Sequence, residues 1–236
     1  MIRGFYTALS GIVSSMTRQS VVADNIANVN TVCFKASRTS QDDFELQIMN
    51  SLGPELGELG TGAIPTNLKL DTSQGPLQVT GIQTDMAVDG DGLFVVRTGS
   101  GVAYTRAGDF QLDVTGTLVT EQGYPVLDTA GHNIQPGQPF TVGADGTISG
   151  TGQRIALVGW PPGGVTRLGQ NLFSAGGKLT PATGQIRQGM LEGSNTDLAL
   201  SMVDLISLQR NFQMSSRALS LQDGTIGDAV QLGRLR

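Results

Sequence analysis

The chain has 236 residues, of which 33 are glycine and only 15% are charged. Its formal net charge of −5 argues against nucleic acid as a partner, because phosphate binding needs a concentrated basic surface. A single cysteine and a single histidine exclude an intrachain disulfide and a zinc site of clustered His and Cys ligands.

The first predicted element is a helix, which belongs to a helical layer over residues 1–34. Its apolar residues recur at alternating spacings of four and three, the pattern of a coiled-coil seam. The other positions are mostly Ser, Thr, Gln, Asn and small aliphatics, whereas a coil in water carries Glu and Lys there. We therefore expect this helix to be surrounded by other protein and to fold fully only on association. The predicted assembly seam here consists of Phe5, Leu9, Ile12, Met16, Ala23 and Ile26.

The middle of the chain changes character twice. Residues 35–75 contain LGPELGELGTGAIP, whose Gly and Pro residues predict a loop or extended linker, and we assign this region to an extended linker or β layer. Residues 76–194 alternate β-forming residues with Asp-Gly and Gly turn signals, which predicts a central antiparallel β-rich domain. Gly116, Gly131 and Gly146 are 15 residues apart and predict three turns of a β-meander. The DGDG sequence at 89–92 is interpreted as a hairpin turn, because the later ligands of a calcium loop are missing.

The last predicted element, over residues 195–236, repeats the helical pattern of the first. Ser194 and Asp197 precede it at the spacing of a capping box. Together the two ends predict an α+β fold with a discontinuous terminal α-helical coiled-coil layer. Two ordinary amphipathic helices packed on a globular core are the alternative. The predicted seam in this second helix consists of Leu198, Met202, Leu205, Phe212, Leu219, Ile226 and Val230.

No motif specifies catalysis, and we expect a protein that is not an enzyme and uses no cofactor or metal. His132 lies in a predicted turn, where an exposed histidine is the simplest interpretation. GGKLT at 176–180 lacks the first glycine of a P-loop. No apolar run approaches the roughly 20 residues that span a bilayer, and we expect no transmembrane segment and no cleaved secretory signal. A secreted hydrolase with paired carboxylates is an alternative that sequence spacing leaves open.

DNIANVNTVCFK, residues 24–35, resembles the N-terminal signature of the axial proteins of the bacterial flagellum, the rod and hook proteins. Three further segments, 85–96, 104–127 and 192–219, resemble the central β motifs and the C-terminal helix of that family. Cys33 stands where the family has glycine, so a positive φ would strain the backbone there. The residues that carry the family motif are Asn25, Ile26, Ala27, Asn28, Thr31, Phe34 and Lys35, with Asn195 in the C-terminal segment.

In this light the asparagines have a physical role. We expect Asn28 or Asn30 to close the first helix in a left-handed cap and to turn the chain out of the helical layer.

The resemblance implies a structural component of the flagellar basal-body rod that polymerises helically through its terminal helices into the drive shaft and export channel. It also implies self-association, contacts with other rod and hook proteins, and delivery by the flagellar type III export apparatus to the basal body in the cell envelope and periplasm. The length leaves no room for the large central domains of hook proteins, so a rod protein of the proximal or distal type is expected. GMLEGSNTD favours the proximal type slightly. A hook-type axial protein and a secreted β-rich binding module are the alternatives.

Overall fold

The computed structural model describes residues 2–43, 63–161, 165–169, 171–177 and 179–234. In this part of the chain all paired strands are antiparallel, so the predicted α+β class with a central antiparallel β region is confirmed. The elements are α1 (Ile2–Ala27), β1 (Ser37–Asp43), β2 (Ala63–Leu70), β3 (Leu77–Val79), β4 (Met86–Asp89), β5 (Leu93–Thr98), β6 (Gly101–Thr105), β7 (Gln111–Leu112), β8 (Leu118–Val119), β9 (Leu157–Gly159), β10 (Val165–Gly169), β11 (Leu172–Ala175), β12 (Thr180–Pro181), β13 (Gln185–Gln188), β14 (Met190–Glu192) and α2 (Leu198–Arg234).

The chain forms two compact units, each discontinuous in sequence. The helical unit contains Met1–Ala27, Ala36–Asp71 and Asp197–Arg236, and the β unit contains Asn28–Lys35 and Thr72–Thr196.

This division differs from the predicted one of 1–34 with 195–236, 35–75 and 76–194. The motif segment 28–35 belongs to the β unit because its side chains and backbone bond there. The predicted linker contributes β1 and β2, which pair with each other and pack on α1. Most of the LGPELGELGTGAIP stretch lies outside the described residues.

The two helices of the helical unit pack against each other along rows of partly or fully covered residues. A Cβ added to Gly11 would lie 3.8 Å from Oγ of Ser215, so small residues meet at this crossing. The segments that leave the end of α1 and enter the start of α2 are bonded to each other, since the amide of Asn195 donates to the carbonyl of Phe34. Because Gly11 and Ser215 meet well away from these ends, the two helices run antiparallel. The covered row of α2 consists of Ser201, Leu205, Leu208, Phe212, Ser215 and Leu219, and that of α1 of Gly11, Ser14, Arg18 and Asn25.

The core of the β unit lies between a six-stranded sheet and several two-stranded ribbons. The sheet has the order β10-β11-β6-β5-β9-β12, and β4 pairs with β13 outside it. Phe94 and Phe110 meet edge to face with ring centroids 5.0 Å apart, a favourable aromatic geometry. Fully buried aliphatic residues from the turn region complete the core: Leu118, Val126, Ile134, Ile148 and Ile155.

The three turns predicted from the 15-residue interval are confirmed. Gly116, Gly131 and Gly146 have φ values of 75, 83 and 85°, which glycine adopts without steric cost. Each of these turns contains a carboxylate that accepts from the amide two residues on: Asp113 from Thr115, Asp128 from Ala130 and Asp145 from Thr147.

The DGDG hairpin prediction is wrong. The strand before it, β4, pairs with β13, whereas the strand after it, β5, pairs with β6 and β9. The turn therefore connects two different sheets. The local sequence could not distinguish a hairpin from a turn between two sheets, because the same Asp-Gly turn signals occur in both.

Both predicted helix caps also differ from the structure. Neither Asn28 nor Asn30 has a positive φ; instead the amide of Thr31 donates to the carbonyl of Asn28 at 3.1 Å. At the start of α2 the Ser194 to Asp197 capping box is not formed. Asp197 is itself the N-cap, since its carboxylate accepts from the amide of Leu200 at 3.1 Å.

Gly108 offers a stringent test of the β unit. A Cβ at this position would lie 1.5 Å from the carbonyl oxygen of Met86, whose amide donates to Gly108. We expect Gly108→Ala to lower the free energy of unfolding by about 3 kcal/mol or more, because the backbone at position 108 would have to move away from the backbone at Met86. Urea titration followed by Trp160 fluorescence measures this. The control is Gly99→Ala, where nothing lies within 4 Å; equal stability of the two variants would contradict the packing described.

Candidate functional site

A buried carboxylate, that of Glu192 at the end of β14, is the centre of the β unit's charge cluster. One carboxylate oxygen accepts from the ammonium of Lys35 at 2.6 Å and from the amide of Gly75 at 2.8 Å. The other accepts from Nε of Arg106 at 2.6 Å. The side chains of Lys35, Arg106 and Glu192 are 1%, 2% and 0% exposed. Low-dielectric surroundings make such charge-assisted bonds strong, and costly to leave incomplete.

The cluster carries one more positive than negative charge, and backbone carbonyls complete it. Lys35 donates a second bond to the carbonyl of Ser73 at 2.6 Å. Arg106 donates to the carbonyls of Val88 and Gly90, each at 2.7 Å, and to that of Gly92. The DGDG turn thus supplies two of the acceptors for the guanidinium, the carbonyls of Gly90 and Gly92.

The two family motifs also bond through their backbones. The amide of Cys33 donates to the carbonyl of Glu192 at 2.8 Å, and that of Asn195 donates to Phe34 at 3.2 Å. The side-chain amide of Asn195 donates to the carbonyl of Ser73 at 3.1 Å. The N-terminal and C-terminal motifs are therefore joined side by side inside the β unit.

Phe34 is held from a second direction. Its side chain is 3% exposed, and the guanidinium of Arg167 lies 4.6 Å from its ring centroid, a cation–π geometry. Nearby, the side-chain amide of Asn171 donates to the carbonyl of Val32 at 2.8 Å. Strands β10 and β11 and the turn between them thereby fix the motif segment.

Cys33 is fully buried and has a φ of 55°. The position where the family has glycine is therefore left-handed, which the sequence had left open, and a non-glycine residue is strained there. Burial, and secondly the charge of Glu192, raise the pKa of the Cys33 thiol to about 12. The thiol stays protonated at neutral pH, which makes it an inert core group.

Asn25 of the motif acts within the helical unit. Its side-chain amide donates to the carbonyl of Ser37 at 2.8 Å, and its amide oxygen accepts from the Ser37 backbone at 2.9 Å. This pair of hydrogen bonds resembles the pair between two opposed residues of neighbouring strands. It holds the start of β1 against the last turn of α1. Ala27, the last residue of α1, is exposed.

The predicted assembly seam is divided in the single chain. Leu205, Phe212 and Leu219 lie on the covered row of α2. The other residues of that row, Ser201, Leu208 and Ser215, each lie one residue before a position of the predicted four-and-three pattern. Apolar residues line both sides of α2, so the 3.5-residue period alone could not select the contacting row. Ile12 and Ile26 are half-buried; the exposed seam residues are Leu9, Met16, Ala23, Leu198 and Met202. The side chains of Phe5, Ile226 and Val230 lie outside the described residues.

Sequence reasoning missed Glu192, Arg106, Ser73 and Gly75. Glu192 and Arg106 do lie in quoted family segments. Arg106 is a single charged residue directly after a β-strand, between Thr105 and Ala107. This position was the one sign in the sequence that its side chain could be buried in an ion pair. Their partners are distant in sequence, so spacing could not connect them.

The described residues contain no group of three His, Cys, Asp or Glu side chains arranged to hold a metal ion. The side chain of His132 is 76% exposed in its turn, with Nδ1 3.7 Å from a carboxylate oxygen of Asp128. Within the described ranges, no helix has the length and apolar character needed to cross a membrane.

The fold and the buried cluster define a class of discontinuous α+β proteins, in which both chain ends form one helical unit. Three family models match in chain order. A flagella basal body rod protein model covers residues 5–35, a flagellar hook protein FlgE/F/G D1 domain model covers 87–150, and a flagellar basal body rod FlgEFG protein C-terminal model covers 187–232.

Relatives match over almost the entire chain. The flagellar basal-body rod protein FlgG of Bacillus subtilis (strain 168) is 36% identical over 99% of this chain and 100% of its own. FlgG of Buchnera aphidicola subsp. Schizaphis graminum (strain Sg) is 32% identical over 98% and 100%. FlgF of Rhizobium meliloti (strain 1021) is 33% identical over 98% of each chain. The chain belongs to the family of flagellar basal-body rod proteins and is a structural component of that rod.

The charge cluster can be tested by removing its central charge. Glu192→Gln leaves two buried cations without their carboxylate, and we expect a loss of about 3–5 kcal/mol in the free energy of unfolding. The matched control is Asp89→Asn, which breaks the exposed Arg187–Asp89 pair and is expected to cost about 1 kcal/mol or less. Urea titrations of both variants decide the matter; a small loss in Glu192→Gln would contradict a supporting role for the cluster.

Cys33 predicts a pH dependence. Between pH 9 and 12 the unfolded thiol, with its ordinary pKa of 9.0, loses a proton that the folded thiol keeps, because its pKa is about 12. The unfolded state then binds fewer protons, so stability falls as pH rises, by about 1.4 kcal/mol per pH unit from this group. We expect wild type to lose stability more steeply than Cys33→Ser above pH 9 in urea titrations. Parallel curves would show that the thiol is not buried as described.

Proposed function

We infer that the protein polymerises helically through its terminal helices, and so builds the hollow shaft of the flagellar basal body. The observation that carries this proposal is the apolar surface of the helical unit. α1 and α2 pack on each other and still expose large apolar side chains. Exposed apolar surface of this extent is typical of interaction sites.

The exposed residues are distributed along both helices. They include Leu9, Val13 and Met16 on α1, which are 41–56% exposed. On α2 they include Val203, Ile206, Met214 and Leu221, which are 51–73% exposed. We propose that these helices form a coiled-coil layer with neighbouring copies, and that their order increases on assembly because a single chain leaves these faces in water.

The partners proposed are further copies of the chain together with other rod and hook proteins. The names of the relatives, flagellar basal-body rod proteins, support this set and support the rod over a hook-type alternative. We propose delivery through the flagellar type III export apparatus to the periplasm. FlgG and FlgF relatives match at similar identity, and the proximal or distal type stays a prediction.

Leu208 provides the test, since it lies at the α1–α2 contact. Leu208→Asp places a charge there, so we expect the helix pair to open and polymer formation to be lost, whereas the β unit keeps its urea midpoint. The measurements are sedimentation of concentrated protein and recovery in basal bodies from cells whose own copy is deleted. Asn211→Asp, the same charge at an exposed position, is the control. Normal assembly of Leu208→Asp would contradict the proposal.

A further inference from the structure

Two carboxylates of the β unit lie opposite each other just before β4. Asp85 directly precedes that strand and forms an isolated antiparallel bridge with Asp109. The amide of Met86 donates to the carbonyl of Gly108 at 2.9 Å, next to the bridge. Asp85 and Asp109 are therefore a non-hydrogen-bonded pair, in which opposite side chains lie on one face and approach most closely. Like charges directly opposite each other in such a pair destabilise the two strands.

The pair is covered, yet it has no counter-charge of its own. Asp85 is 6% exposed and Asp109 is half-buried. In the part of the chain that the structure describes, neither carboxylate has an ion pair or a hydrogen bond with another residue. Burial raises the pKa of the Asp109 carboxyl most, its own backbone amide lowers it, and the charges of Glu121 and Asp85 raise it further. The neighbouring charges that act on Asp109 are thus both negative.

Glu192 shows how the same unit satisfies a buried carboxylate with its own residues. Lys35 and Arg106 bond to its two oxygens. A buried carboxylate without such partners is costly, because it loses its hydration and gains no positive charge in return. The arrangement at Asp85 therefore calls for a cation that comes from outside the chain.

We propose that the carboxylates of Asp85 and Asp109 bind one hydrated divalent cation, Mg²⁺ or Ca²⁺, between them. Both ions prefer oxygen ligands, and Mg²⁺ is commonly bound by one or two carboxylates with water in its other positions. One such ion offsets both charges of the pair. A site with two protein ligands differs from the three-residue groups that the described residues lack. The sequence motifs predicted no metal ion, because only the fold brings these two carboxylates together.

The test is thermal unfolding of the dilute full chain, followed by Trp160 fluorescence, in MgCl₂ or CaCl₂ and in NaCl of the same ionic strength. We expect a divalent salt to raise the midpoint by about 3 °C more than NaCl, once the cation is at roughly ten times its dissociation constant. Calorimetric titration of the chain with the same salts measures binding directly.

Asp85→Asn and Asp109→Asn are expected to lose the cation-dependent rise and the heat of binding. Without divalent cations, both are expected to be at least as stable as wild type, because one of two like charges is gone. Asp109→Asn keeps the test decisive if Asp85→Asn does not fold, since Asp109 is only half-buried. The matched control is Asp113→Asn, an exposed carboxylate that bonds within its own turn, and it keeps the full cation response.

Two results would overturn the site. One is a midpoint of wild type that rises no more in divalent salts than in NaCl, or that rises equally in Asp109→Asn. The other is stabilisation of wild type by acidification alone, with no heat of cation binding, which would mean that the pair holds a proton instead. Neither result depends on polymerisation, so the site and the proposed function are tested separately.

Discussion

The β unit depends on one buried carboxylate. Glu192 has no contact with water, and its two oxygens are satisfied by Lys35, Arg106 and the amide of Gly75. An isolated carboxylate at such depth would be strongly destabilising, so the three donors must all be in place when the unit is folded. They come from three distant parts of the chain. The cluster therefore converts separate sequence segments into a single cooperative unit.

The cluster also lies where the chain leaves and re-enters the β unit. Lys35 is the last residue of the first segment of this unit, Ser73 is the second residue of the next, and Asn195 comes just before its end. All three take part in the same hydrogen-bond network. The β unit thus fixes its own chain ends by polar bonds, whereas the helical unit leaves apolar rows uncovered. The buried charge cluster and the proposed assembly surface therefore lie in different units.

Much of this architecture could be predicted, and the failures have physical causes. Periodicity predicted both helices, and glycine turn signals predicted the turns at Gly116, Gly131 and Gly146, because these patterns are local. The left-handed cap at Asn28 or Asn30 was mispredicted because several polar residues lie close together there. The sequence did not show that the amide of Thr31 would donate to the carbonyl of Asn28. Periodicity could not show which row of α2 contacts α1, because both sides of that helix are apolar. The charge cluster was missed entirely, as Lys35 and Glu192 are 157 residues apart.

The central claim is that residues 28–35 fold with the β unit through Glu192, although they directly follow α1. Hydrogen exchange read by mass spectrometry on dilute protein tests it most directly, because exchange reports the opening of each segment separately. We expect the amides of 28–35 and 190–195 to be protected as strongly as those of β5 and β6, with α1 and α2 exchanging much faster until the protein is assembled. Exchange of 28–35 at the rate of α1, with the β strands still protected, would contradict it.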